Sequence, residues 1–598
     1  MDLRDVKLSD RYDLERSPVL LSGTQALVRA MLMQRARDVK AGYNTAGYVT
    51  GYRGSPLGSV DGTFHGARKH TEPAQVKFHP GINEDLAATA LWGSQMAELK
   101  GEGLYDGVFG MWYGKGPGVD RCGDVFRHAN IAGSSPMGGV VACMGDDHTG
   151  ESSTTLHHSE VAMMDAQIPV LSPAGVQELL DYCITGWALS RYSGCWVGMK
   201  CMKDTIESTA VVDGSPDRMQ FVTPDFEMPE GGLNIPIFEE PVQGEQRLND
   251  YKLPAVLAWA KANKLDSRTH GRAGAKVGII SAGKSWLDVC HALELLGITE
   301  DQAREIGLTV YKVGMVWPLE PDGIREWAEG LDLIISVEEK RPVLESQVKD
   351  ILYNLPNRPK IVGWQDEDAN VLFDVKSGLD PVRIAQGIGG QLELQGCQTE
   401  SMAHGLAALD EATRSDNTPD SATRTPWFCA GCPHNSSTVV PEGAHAYSGI
   451  GCHYMAQWME RSTLGYTHMG GEGSNWIGEH QFSKRKHVFQ NLGDGTYNHS
   501  GIQSIRAALG SGANMTFKIL YNDAVAMTGG QAHDNEIDAL RVAKELLGIG
   551  VKKVVAVVDE KEMGWVQYPP EVAVFPRSDL MKVQKEMMEI EGVTYRDT

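Results

Sequence analysis

The sequence lacks any uninterrupted apolar run approaching the ~18 residues that would suggest a membrane-spanning helix, so none is expected. From Met1 to Arg16 it alternates charges and has no apolar stretch of the kind that marks a secretory signal. Basic residues are in deficit, 55 Lys and Arg against 78 Asp and Glu, a net charge of −23. That argues against a general nucleic-acid binder, which needs a basic footprint. Cysteine is sparse, 10 in 598 residues. Seven of the ten stand singly and read as reduced thiols of a cytoplasmic protein. A disulfide scaffold is thereby excluded, as are internal repeats and long low-complexity tracts. What remains is 42% hydrophobic and 22% charged, an ordinary globular balance able to bury several cores. At roughly 100–200 residues per domain, the length allows three to five domains.

Three α/β blocks follow one another, at 14–254, 265–395 and 427–598, with a Ser/Thr/Asp/Pro-rich linker expected at 396–426. Short apolar strands alternate with helical stretches, which predicts parallel sheets built from right-handed βαβ units. Glu84 to Lys100 reads as a helix and Gly138 to Met144 as a buried strand. In the third block the expected strands are Val488–Leu492, Met515–Tyr521 and Lys553–Val558. Val593 opens one more strand just before Thr598. A parallel sheet that stops partway into a strand leads us to expect a chain cut near Thr598.

The strongest chemical signal is Gly493-Asp494-Gly495 after one strand and Asn522 after the next, 30 residues apart counted inclusively. One βαβ unit between them places both at the carboxyl edge of a parallel sheet, where such folds bind ligands. Asp494 and Asn522 there offer hard oxygen ligands to Mg²⁺, which characteristically keeps phosphate oxygens in its shell. Backbone N–H groups of the helix that follows would face a diphosphate. The pattern resembles the thiamine diphosphate motif, although GDG alone is also a good turn. Thiamine chemistry needs a second half-site, with a carboxylate against the pyrimidine ring. Glu84, opening a small-residue helix in Gly81-Ile82-Asn83-Glu84-Asp85-Leu86, is the candidate. The plainer alternative is that Glu84 and Asp85 only complement a helix N-terminus.

Cys429-Ala430-Gly431-Cys432-Pro433-His434 carries two cysteines on one turn, and Cys452 lies twenty residues further on in Gly449-Ile450-Gly451-Cys452-His453. Such a trio suits iron–sulfur or zinc. A redox pair and ordinary buried cysteines remain alternatives. Pro433 stands where a c-type haem motif needs His. Gly529, Gly530 and Gln531 are expected to shape the cofactor loop. Gly387 to Gly390 and Gly114 to Gly118 read as turns, and His148, His157 and His158 as polar loop residues.

Taken together, Tyr52-Arg53-Gly54-Ser55-Pro56, Asn83-Glu84, the GDG-to-Asn522 span with Ala524, Met527 to Gln531, and the two cysteine segments resemble the 2-oxoacid:ferredoxin oxidoreductases, most of all their indolepyruvate branch in its long fused-chain form. The resemblance spans essentially the whole chain. It implies two thiamine diphosphate-binding-fold domains flanking a transketolase-C-like domain. It further implies oxidative decarboxylation of an arylpyruvate to an acyl-CoA, with electrons passing to ferredoxin, in a homodimer associated with further domains or a second subunit. By motif position Glu84 resembles the pyrimidine-activating glutamate and Ser55 a hydroxyl near the substrate carboxylate. Asp494, Asn522 and the Ala524 carbonyl resemble the Mg²⁺ ligands. Cys429, Cys432 and Cys452 resemble three of the four ligands of a [4Fe–4S] cluster. The fourth cysteine and the ferredoxin-like domain of complete members are absent from this sequence. A non-oxidative thiamine-dependent decarboxylase or ligase, and a catalytically idle fragment, are the competing readings.

Overall fold

Buried apolar runs bounded by glycine and polar turns become strands covered on both faces by helices, as parallel sheets require. Val140–Asp146 is the clearest case, with all seven residues buried. The computed structural model describes residues 7–151, 153–415, 424–533 and 537–597. The chain divides into two units, Met1–Thr418 and Pro419–Thr598. The α/β class and the three main sheets agree with the sequence reading.

The first unit holds two of these sheets. One has seven strands in the order Met315–Trp317, Val170–Leu171, Val197–Met202, Val140–Asp146, Val108–Lys115, Ala46–Gly51 and Val76–Phe78. All its pairings are parallel except that of Met315–Trp317. The other has five, in the order Lys360–Val362, Leu333–Val337, Val277–Ala282, Leu308–Val313 and Ser267–His270, the last antiparallel. Met315–Trp317 follows a strand of the five-stranded sheet yet pairs with Val170–Leu171 in the larger one. The blocks expected at 14–254 and 265–395 are thus joined through backbone hydrogen bonds. Polar contacts to buried Glu339 add to the join. His148 Nδ1 lies 2.6 Å from Glu339 Oε2, and Lys284 Nζ lies 3.0 Å from Glu339 Oε1. Burial pushes the Glu339 carboxyl up, but His148 and Lys284 outweigh it and hold the group below the usual carboxylate range. His148 lies in a loop, as expected, but is buried against Glu339; burial, and then Lys200, pull its pKa down despite Glu339. His157, pulled down by burial but pulled up more strongly by Asp120 and Asp146, is raised to about 9.

The second unit is built on one seven-stranded sheet, all parallel, in the order Thr463–Tyr466, Ala446–Ser448, Val488–Gly493, Met515–Leu520, Val593–Asp597, Lys553–Val558 and Ala573–Pro576. Val593–Asp597 lies between two neighbours, as a central strand.

Two expectations for the first unit need correction. The segment taken for a linker at 396–426 contains a helix, Glu400–Ser415, that packs on the helix Pro381–Leu394. Met402 in it is fully buried. Residues 416–423 of that segment lie outside the described residues. Gly387 to Gly390 are not a turn but lie inside Pro381–Leu394. A Cβ on Gly389 would come within 2.8 Å of the Leu406 side chain, so the glycine permits the close approach of the two helices. The polar composition of 400–415 reflects one solvated face and hides the buried stripe on the other. Replacing Met402 by alanine should cost about 2–5 kcal/mol through loss of buried volume, read as a lower melting temperature of the full chain. A melting temperature equal to wild type would return the segment to a linker.

Candidate functional site

In the second unit, Val488–Gly493 and Met515–Leu520 are parallel neighbours in a register that pairs Gly493 with Leu520. Their carboxyl ends therefore emerge side by side, and Asp494 and Asn522 meet. The Asn522 backbone N–H donates to Asp494 Oδ2 at 2.9 Å, and the Gly495 N–H donates to Oδ1 at 2.9 Å. His533 Nε2 also lies 3.2 Å from Oδ2. Asp494 is 4% exposed. Asp523 adopts a left-handed φ of 58°, and Asn522 Oδ1 accepts from the Ala524 N–H at 3.1 Å. That turn folds Ala524 back beside Asn522. The loop then closes on itself, with the Val525 N–H donating to Gln531 O at 2.9 Å and the Gly530 N–H to Val525 O at 3.1 Å. Gly529 and Gly530 take φ of 122° and 76°, values that other residues adopt only with strain. The Gln531 amide pins the loop from within by donating to Thr528 O at 2.8 Å.

This donor set fits Mg²⁺, which takes hard oxygens. Asp494 supplies a carboxylate, Asn522 an amide oxygen and Ala524 a carbonyl. Next to it, the side-chain direction of Gly493 opens into space. A Cβ there would meet one atom within 4 Å, His453 Nε2 at 3.9 Å. That opening is suited to a ligand seated over the sheet edge. Two buried groups border this edge that the sequence did not single out. His453 is 2% exposed; burial, then His434 and Lys518, hold its imidazole down to about 3. Glu472, whose Oε2 accepts from the Gly470 N–H at 2.7 Å, is pushed up to about 7 by burial. Neither His533 nor Glu472 has a local pattern that announces it, since each reaches the edge by tertiary packing.

The cysteine turn is tight: the Cys432 N–H donates to Cys429 O at 3.1 Å, with Gly431 at a φ of 79°. The Arg461 guanidinium lies 5.6 Å from both the Trp427 and the Phe428 ring centroids and holds Asn435 and Thr438 by hydrogen bonds. Lys518 Nζ donates to Ser437 O at 2.8 Å from the sheet below. Burial, and then Cys432 and Cys429, push the Cys452 thiol up. Among the described residues, no three His, Cys, Asp or Glu side chains draw together closely enough to hold a metal ion.

In the first unit, Asn83 caps the helix Glu84–Ser94, its side chain accepting from the Leu86 N–H at 3.0 Å. The two acidic residues that follow part company. Asp85 pairs with Arg121 at 2.7 Å near the surface, whereas Glu84 is 7% exposed. The Trp112 indole N–H donates to the Glu84 carbonyl at 3.1 Å. A Cβ on Gly118 would stand 2.6 Å from Glu84 Cγ and 2.8 Å from Oε1. Gly114 to Gly118 is therefore not a surface turn. It is the end of the strand Val108–Lys115 and the start of the helix Gly116–Arg121, and it forms the wall against which Glu84 lies. Lys115 carries the same edge further, because a Cβ on Gly54 would stand 3.0 Å from Lys115 Cβ. The turn holding half-buried Ser55 is thus packed on this side too, and is fixed by the buried Arg53–Asp61 pair at 2.9 Å. Burial lowers the Lys115 pKa, against opposing pulls from Asp147 and Glu84.

Residues 267–416 match the indolepyruvate oxidoreductase domain, and residues 449–595 match the C-terminal TPP-binding domain of thiamine pyrophosphate enzymes. The indolepyruvate oxidoreductase subunit IorA of Methanothermobacter thermautotrophicus is 24% identical, over 89% of this chain and 79% of that protein. The subunit of the same name from Pyrococcus horikoshii is 24% identical, over 88% and 78%. Among solved structures, the 2-oxoglutarate:ferredoxin oxidoreductase from Magnetococcus marinus aligns over 63% of this chain and 66% of that one, at 12% identity and a TM-score of 0.45. The chain is an oxidoreductase of the thiamine diphosphate class. Its sequence is similar to those of indolepyruvate oxidoreductase subunits over most of its length. Among the described residues no helix is long and apolar enough to cross a membrane.

Gly118→Ala tests the wall behind Glu84. The added methyl should displace the carboxylate and cut turnover by about 10-fold or more, with an unchanged circular dichroism spectrum. Wild-type turnover in G118A would show that the position of Glu84 is not critical.

Proposed function

We propose that this chain carries out the oxidative decarboxylation of an arylpyruvate, with CoA as acyl acceptor, to an arylacetyl-CoA and carbon dioxide, the electrons leaving to ferredoxin. The observation that carries the reading is the junction of Asp494 with Asn522 at adjacent strand ends. The names of the relatives supply the arylpyruvate. Thiamine diphosphate, when bound, supplies the electron sink for loss of carbon dioxide from a 2-oxoacid.

The residues of the chain do the rest. Asp494, Asn522 and Ala524 would hold Mg²⁺ for the diphosphate. Glu84 holds a proton at the pyrimidine ring nitrogen of the cofactor and so tunes its basicity. Ser55 offers a hydroxyl to the substrate carboxylate. Cys429, Cys432 and Cys452 would provide three thiolates to a [4Fe–4S] cluster, a one-electron acceptor. The working enzyme is a cytoplasmic homodimer that associates with a further subunit or domains.

Glu84→Gln should leave thiamine diphosphate binding intact and lower turnover by roughly 100-fold or more, the scale of a lost acid–base group. Turnover near wild type would remove Glu84 from this role. Iron and sulfide analysis after anaerobic purification of the assembled enzyme should find both; their absence would favour a non-oxidative decarboxylase.

A further inference from the structure

Resting on that reading, we propose that His453 binds the cofactor directly, its Nε2–H donating to a diphosphate oxygen of thiamine diphosphate seated over Gly493. The tautomer follows from geometry. The Gly449 backbone N–H donates to His453 Nδ1 at 3.3 Å, so Nδ1 carries no proton and the hydrogen of the neutral ring sits on Nε2. That nitrogen is buried and has no hydrogen-bond partner, in a side chain 2% exposed. A buried donor left unmatched costs free energy that a bound acceptor recovers.

The donor also stands beside this seat. Among described residues other than those adjoining Gly493, its Nε2 is the atom nearest to where a Gly493 Cβ would stand, 3.9 Å away, and it lies 3.0 Å from where a Gly451 Cβ would stand. It is therefore set at the strand end, one residue before Asp494. His453 reaches that place because it follows the strand Ala446–Ser448, a parallel neighbour of Val488–Gly493. The backbone is tied there by Ser448 Oγ donating to His453 O at 2.8 Å. The acceptor that this edge is built to hold is a Mg²⁺-bound diphosphate, and a neutral donor adds to its binding without competing for the metal.

Two substitutions separate this role from a purely structural one. In H453N the amide oxygen takes the place of Nδ1 and keeps the Gly449 contact but removes the distal donor. In H453Q the amide nitrogen takes the place of Nε2 and keeps the donor but loses the Gly449 contact. Calorimetric titration of the full chain with thiamine diphosphate, and separately with inorganic pyrophosphate, in excess Mg²⁺ reads the difference. The proposal expects H453N to weaken both ligands by about 10-fold or more, the scale of a hydrogen bond to a charged group, and H453Q to stay within about 3-fold of wild type. Equal affinities in wild type and H453N, or a greater loss in H453Q than in H453N, would overturn it. Pyrophosphate binding unaffected while thiamine diphosphate binding falls would also overturn it, by placing the contact away from the diphosphate. If the wild-type chain binds neither ligand, the cofactor assignment itself fails, an outcome distinct from failure of His453.

Discussion

The candidate site of the second unit turns on one cross-strand contact, the hydrogen bond from the Asn522 backbone to the Asp494 carboxylate. It exists because two parallel strands end in register, Gly493 against Leu520. A parallel sheet exposes its ligand-binding loops at one edge, and this contact turns two such loops into one oxygen-rich site. A hydrogen bond to a buried carboxylate is worth about 1.5–3 kcal/mol. Its larger consequence is orientation. It fixes the Asp494 carboxylate, while the turn at Asp523 and the self-closed loop from Val525 to Gln531 fix what lies opposite.

The first unit solves a different problem, the burial of a carboxylate without loss of its position. Asn83 ends the helix so that Glu84 starts it, and glycine at 118 makes room for the side chain. The acidic residue that serves the helix N-terminus in the ordinary way is Asp85, paired with Arg121. Around Glu84, the two sheets of this unit are held together by an exchanged edge strand and by the buried Glu339 pairs. The loops at the carboxyl edge of the larger sheet are thereby backed by the smaller one.

What could be read from the sequence were features in which neighbours along the chain act together. The strand Val140–Asp146 is legible because its run from Val140 to Gly145 is all apolar or small, and the GDG-to-Asn522 span because one βαβ unit has a set length. Glu84 is legible because the cap and the helix lie beside it. Features that depend on a distant partner were misread or missed. The helix Glu400–Ser415 looks like a polar linker until its Met402 is seen buried against Pro381–Leu394. The glycines from 387 to 390 look like a turn until Leu406 is seen packed on one of them. Gly118, His453, Glu472 and His533 gain their meaning from groups that only folding brings near. The three cysteines are intermediate: their spacing is plain in the sequence, yet no closed metal site forms among the described residues.

The central claim is that the edge formed by Asp494 and Asn522 is a Mg²⁺-dependent diphosphate site. Its most direct test is calorimetric titration of thiamine diphosphate into the full chain and into its Asp494→Ala variant, each with Mg²⁺ and with a chelator. The account predicts saturable binding at one site per chain to the wild type, only when Mg²⁺ is present, and none to D494A. Equal binding to both proteins, or binding by the wild type that survives the chelator unchanged, would contradict it.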